Sequence, residues 1–196
     1  MGLISNGTTV FDNGAMASGF GGSLVFISSA TASSSASIEF TLGNYKEYKF
    51  FFVSIHPQTD SVNLQMNFST DSGSNYNVTK TTTYFRAVHD EANTDAFLAY
   101  ATGADLAQST AFQRLQNDLG NGADESCSGS LTLYNPSSTT YVKNFLSTSN
   151  AYFSADYTQN VFVAGYANTT SALTNIKFEM SSGNIDAGTI YMFGVN

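Results

Sequence analysis

Val62-Asn63-Leu64-Gln65-Met66-Asn67-Phe68-Ser69 decides the fold class. Four apolar side chains alternate with four polar ones, and in an extended chain successive side chains leave on opposite faces. The stretch therefore predicts a strand with one buried and one wet face. The same period recurs where Ile38, Phe40 and Leu42 alternate with Ser37, Glu39 and Thr41, and where Ile176, Phe178 and Met180 alternate with Lys177 and Glu179. Tyr48 to Ile55 is apolar on both faces, as a strand in the middle of a sheet requires.

Further strands are expected near Leu24–Ser29, Thr82–His89, Ser128–Tyr134, Tyr141–Ser147, Val161–Tyr166 and Gly188–Val195. Turn clusters such as Thr70-Asp71-Ser72-Gly73-Ser74 and Asn135-Pro136-Ser137-Ser138 separate them. About ten short strands at this spacing predict an all-β fold, an antiparallel β-sandwich of jelly-roll-like type. Alternation stops between residues 92 and 124. Ala104 to Gln116 suggests a short helix with Ala107, Ala111 and Leu115 on one side, within a long excursion at one edge of the sandwich.

Residues 1–22 read as an N-terminal arm and residues 23–196 as a single sandwich domain. In the arm, Leu3-Ile4-Ser5 and Thr8-Thr9-Val10-Phe11 flank Asn6-Gly7, a hairpin signal because a type I′ turn needs positive φ at both central positions. Glycine then punctuates the chain through Gly19-Phe20-Gly21-Gly22. Such an arm is ordered only against the body or a neighbouring subunit, so Leu3, Ile4, Val10, Phe11 and Phe20 are the expected assembly contacts.

At 196 residues the chain is long enough for a full core, supplied by 16 Phe and 11 Tyr. Only 11% of residues are charged, against about 25% in ordinary domains. The net charge of −8 and seven scattered Lys and Arg leave no basic stripe for phosphates or anionic membranes. No run approaches the roughly 18 apolar residues of a membrane span. Met1 to Gly22 lacks the basic and continuous apolar regions of a signal peptide, so an extracellular location would imply a route other than secretion, of which lysis is one.

Chemistry-bearing constellations are scarce. His56 and His89 are the candidate imidazole bases, but no Gly-x-Ser-x-Gly or Ser-x-x-Lys nucleophile stands beside either. His89-Asp90-Glu91 alternate faces in a strand and do not converge on one ion. Asp71 is better explained by turn chemistry than by calcium. Cys127 is alone, which excludes a disulfide within the chain. No catalytic residue, metal ligand or cofactor is assigned. Carbohydrate contact is the alternative, since sugar sites join aromatic platforms to Asn or Asp; Tyr76, Tyr84, Tyr100 and Tyr157 are the named candidates, with Tyr152 and Tyr166 beside them.

Several segments carry a resemblance. They are Gly22-Ser23-Leu24-Val25 with Thr31-Ala32-Ser33-Ser34-Ser35-Ala36-Ser37, Tyr45 and Tyr48 ahead of an apolar strand, and His56-Pro57-Gln58-Thr59-Asp60. Ser69-Thr70-Asp71-Ser72-Gly73-Ser74-Asn75-Tyr76, Leu133-Tyr134-Asn135-Pro136-Ser137-Ser138 and the closing Ser182-to-Ile190 and Phe193-Gly194-Val195 segments complete the set. Together they resemble virion structural proteins of tailed bacteriophages, particularly marine and cyanobacterial ones. The resemblance covers most of the chain but rests on turns and strand ends, and carries no functional residue across. It implies a non-enzymatic β domain on the particle surface, made in the host cytoplasm, as a capsid decoration or small appendage subunit. Its expected partners are further copies, in a trimer, and other capsid or tail proteins. As a tail-fibre or receptor-binding protein it would contact host-surface glycans, with the 92–124 excursion holding the sugar.

Overall fold

A computed structural model describes residues 3–5, 8–12, 15–16, 24–153 and 156–195. Among the described residues fifteen strands form: β1 (Leu3–Ser5), β2 (Thr8–Asp12), β3 (Ala15–Met16), β4 (Val25–Thr31), β5 (Ile38–Thr41), β6 (Glu47–Pro57), β7 (Val62–Ser69), β8 (Lys80–Asp90), β9 (Ala96–Tyr100), β10 (Gln113–Leu119), β11 (Ser126–Tyr134), β12 (Lys143–Phe153), β13 (Tyr157–Ala167), β14 (Asn175–Met180) and β15 (Ile185–Val195). An eight-stranded sheet in the order β4-β15-β6-β11-β12-β13-β8-β9 packs on a four-stranded sheet, β10-β7-β14-β5. All neighbours are antiparallel, so the fold is the β-sandwich that the alternation predicts.

The alternating residues fill the space between the sheets. Leu64, Met66 and Phe68 of β7 and Ile176 and Phe178 of β14 are buried against Phe50, Phe52 and Ile55 of β6, Leu131 and Leu133 of β11, and Phe145 of β12. Phe178 lies 5.5 Å from the Phe50 ring and 5.4 Å from Phe52, while Phe68 meets Phe145 edge-on at 5.6 Å. Tilted and edge-to-face pairs at these distances add to simple area burial. The doubly apolar β6 is an interior strand, between β15 and β11.

The 92–124 excursion corrects the sequence reading. No helix forms among the described residues, and two strands, β9 and β10, occupy the segment instead. The two-residue period fails in β10 because its pairing with β7 slips twice and its buried positions include Gln113, Gln116 and Asn117. These amides are satisfied inside. Thr82 Oγ1 donates to Gln113 Oε1 at 2.5 Å and Ser149 Oγ to Gln116 Oε1 at 2.6 Å, while the Asn117 side chain accepts from the Tyr84 hydroxyl and donates to Asp118. A buried amide without a partner is costly, so a fully bonded set ties β10 to one register. Leu115 and Leu119 complete its buried surface.

Two lysines are buried at the start of β8 and β12, where Ala167 of β13 pairs with both Lys80 and Lys143. The ammonium of Lys143 donates to the Thr169 and Ser171 carbonyls at 3.0 and 2.7 Å. Burial holds its pKa below the usual lysine value.

In the arm, β1 pairs with β2 and β2 with β3, flanking Asn6-Gly7 as a hairpin requires. Of the expected assembly contacts, Ile4 is 61% exposed. Phe20 and the side chains of Leu3, Val10 and Phe11 lie outside the described residues.

Candidate functional site

The two outward faces of the sandwich differ in chemistry. On the small sheet, Lys177 reaches Glu39 at 2.8 Å and Gln65 donates to Glu179 at 3.1 Å, a solvated polar ladder. On the large sheet, strand alternation turns outward Ser128, Ser130, Thr132 and Tyr134 from β11, and Asn144, Leu146, Thr148 and Asn150 from β12. Asn160, Phe162, Ala164 and Tyr166 follow from β13, then Thr81, Thr83, Phe85 and Ala87 from β8 and Leu98 and Tyr100 from β9. None of these is Asp, Glu, Lys or Arg, whereas on neighbouring β6 the outward Lys49 and Glu47 form an ion pair at 3.4 Å, with Glu47 opposite Tyr134.

Register aligns these residues in rows across the strands. Phe162 stands opposite Phe85 with their rings stacked at 4.9 Å, and Phe85 opposite Tyr100. A second aromatic group sits near the far edge, where Phe193 of β15 contacts Phe26 at 5.5 Å and Phe51 at 5.6 Å. Side chains that elsewhere would fill a core are here left outside.

The edges extend the same chemistry. β9 pairs only with β8, leaving its other edge open among the described residues. Its sequence Ala96-Phe97-Leu98-Ala99-Tyr100 has no charge, and Leu98 is 73% exposed. Charge, proline or a covering segment normally protects such an edge. Arg86 from the preceding strand stacks on Phe97 at 5.6 Å but leaves Leu98 uncovered. The opposite edge, β4, pairs only with β15 and presents Phe26 outward.

A cleft of about 510 Å³ opens in this face. Leu146, Ala164 and the Phe145 and Gly165 backbone region line it together with Thr81, Thr83, Asn144, Tyr134 and Tyr166. Register puts Asn144 between Tyr134 on β11 and Tyr166 on β13, since Phe145 pairs with Leu133 and Asn144 with Tyr166. A smaller depression of about 220 Å³, lined by Phe85, Thr148 and Phe162, adjoins it through Leu146 and Ala164.

The tyrosines expected to contact sugar do not converge. Tyr84 is wholly buried and hydrogen-bonds Asn117, so it is removed as a ligand contact. The core-facing side of β8 carries its ring, which the sequence left undecided. Tyr76 donates to Glu39 at 2.9 Å beneath the Lys177 ammonium, on the small-sheet side. Tyr100 lies on edge strand β9 with its hydroxyl on Asp105 at 2.7 Å, which raises its pKa. Tyr157 begins β13 opposite Asp90. Tyr152 donates to Asp156, which helps raise its phenol to about 12. Of the six, only Tyr166 lines the cleft. Tyr134 was not singled out, although alternation with Leu131 and Leu133 already turns it outward.

The titratable groups considered for catalysis also stay apart. Three strands, β11, β12 and β13, separate His56 on β6 from His89 on β8. Cys127 faces the core beside Ile55, where burial pushes its thiol up to about 12, while His56 turns the other way to Gly122 and Asp186. A second hollow of about 500 Å³ is lined by His56, Asp124, Glu125 and Asp186; Glu125 already accepts the Gly122 amide at 2.5 Å. Among the described residues no three His, Cys, Asp or Glu side chains are grouped to hold a metal. Asp71 accepts hydrogen bonds from Ser69 and Asn75, which hold its carboxyl near 2 and make it a turn residue. Asp90 does the same for the β8–β9 turn, accepting the Thr94 and Asp95 amides at 2.8 and 2.9 Å.

No family model, curated protein or solved structure matches the chain.

Proposed function

We propose that the chain is a non-enzymatic structural subunit on the surface of a bacteriophage virion, a capsid decoration or small appendage, and that it works as a homo-oligomer. The observation that carries the oligomer is the uncharged open edge β9, with Leu98 73% exposed and the Phe85–Phe162 stack beside it. Another strand satisfies such an edge by supplying backbone partners and covering its apolar side chains. The partner is a second copy. Pairing β9 with β4 of the next copy closes both open edges of the large sheet at once, which a cyclic trimer achieves and a twofold β9–β9 contact does not. Sparse Lys and Glu on this face favour the same use, because few long side chains have to be immobilised. The placement on a virion rests on the sequence resemblance.

Light scattering on the purified protein tests the assembly. The expected mass is about three times 20.9 kDa. Leu98→Lys should yield a monomer that still unfolds cooperatively, since Leu98 is exposed within a single copy and lies outside its core, with the loss of apparent stability limited to what association contributed. A monomeric wild-type protein, or an oligomer indifferent to Leu98→Lys, overturns the proposed interface. Peptide mass spectrometry of purified phage particles that encode the chain tests the placement. Absence from the particle removes it.

A further inference from the structure

We infer that the cleft between Tyr134 and Tyr166 is a binding site for a neutral saccharide. Its lining restricts the ligand chemistry in three ways. Leu146 and Ala164 give an apolar floor, and two tyrosine side chains flank it from β11 and β13. Two strand spacings separate those tyrosine positions by about 10 Å, enough for one ring-sized group to enter between them. Aromatic and aliphatic walls suit the C–H faces of a pyranose.

The polar groups are all neutral and both donate and accept. Asn144 stands in the centre of the row, Thr81 and Thr83 at its β8 end, and the Tyr134 and Tyr166 hydroxyls at the walls. No described residue hydrogen-bonds the Asn144 amide or the Tyr134 hydroxyl, so both are available to a ligand. The Thr81 hydroxyl accepts from Gln108 Nε2 at 2.8 Å and keeps its own proton to donate. That Gln108 is itself fixed by Asn168 Nδ2 at 2.7 Å, and its Nε2 stands 3.5 Å from the Tyr166 hydroxyl, so a side-chain chain supports that wall of the cleft. Hydroxyl groups of a sugar likewise donate and accept, and match this set.

Charge decides against the other ligand classes. No Lys, Arg, Asp or Glu lines the cleft, so nothing neutralises a phosphate, a carboxylated sugar or a cationic ligand entering it. A purely apolar occupant, such as a hydrophobic segment of another chain, would desolvate Asn144 and the two threonine hydroxyls without replacing their hydrogen bonds. A neutral polyhydroxylated ring satisfies both the walls and the polar row. This inference goes beyond the assembly role and does not depend on it: the cleft lies on β8, β11, β12 and β13, and Leu98 on β9 does not line it.

The test is saturation-transfer NMR, followed by calorimetry, with a panel of neutral oligosaccharides of glucose, galactose, mannose and N-acetylglucosamine beside sialylated and uronic-acid oligosaccharides. At least one neutral member should bind, with transfer strongest on its ring C–H protons. Asn144→Ala and Tyr166→Ala should each weaken binding about tenfold or more, the loss of one well-placed contact. Leu98→Lys should leave the affinity unchanged. Unfolding curves confirm that the variants fold, and Asn144→Ala, exposed and clear of the core, is the variant least exposed to that objection. Binding to no neutral member, binding to acidic members alone, or binding that survives both cleft substitutions overturns the inference.

Discussion

Lys80 gives the sharpest test of how the interior is built. Its side chain has no solvent exposure, and its ammonium donates to Asn67 Oδ1 at 2.5 Å and to the Val78 carbonyl at 2.7 Å. Both partners are neutral, and among the described residues no carboxylate forms an ion pair with it. Burial therefore brings its pKa from 10.5 down to about 7. Between these values the unfolded chain holds a proton that the folded chain does not, so stability rises with pH through this window. Below about 7 both states are protonated, and the full cost of the buried charge is present. At about 1.4 kcal/mol per pKa unit, wild-type stability should gain about 3 kcal/mol from this group between about pH 6.5 and pH 9.5.

Other groups titrate in the same range, and Lys80→Met isolates the one of interest. The methionine is apolar and of similar length, and Asn67 Oδ1 keeps the Phe68 amide as a donor at 2.9 Å. Urea unfolding of both proteins at several pH values gives the stability difference, in which unchanged groups such as Lys143 cancel. The wild type should improve relative to Lys80→Met by about 3 kcal/mol across the window. A difference flat to within about 0.5 kcal/mol would show that the ammonium is solvated, and the account of this buried lysine would fail.

Phe178→Ala removes the ring that meets Phe40, Phe50 and Phe52, and should cost about 3–5 kcal/mol in urea unfolding. A loss below about 1 kcal/mol would mean that the sheets are not packed through this side chain. Cys127 should be silent to a disulfide reagent at about pH 8 while folded and react fully once the chain is unfolded in guanidinium chloride. Prompt reaction of the native protein would place the thiol at the surface.

Strand positions were legible wherever burial separates cleanly by face. Val62–Ser69 is observed with the bounds that alternation suggests, and Ile38–Thr41, Asn175–Met180 and Glu47–Pro57 follow within a residue or two. The pattern was lost in β10 because its inward residues include amides, and hydrophobicity is a poor marker of burial when hydrogen bonds satisfy the polar group. β9 escaped for the opposite reason. Nothing in Ala96-Phe97-Leu98-Ala99-Tyr100 alternates, because an exposed apolar edge has no polar face.

The cleft shows the same division. Outward placement of Tyr134 and Tyr166 follows from alternation within their own strands, a local property of the chain. Their meeting across Asn144 follows from the register of β11, β12 and β13, set by long-range pairing and packing. Local patterning thus determined the fold class, most strands and the low charge of the surface. Tertiary structure alone decided which aromatic rings the core would take, removing Tyr84, and which would share an outer face poor in charge. Burial depends on neighbours that lie far along the chain, and no local period encodes them.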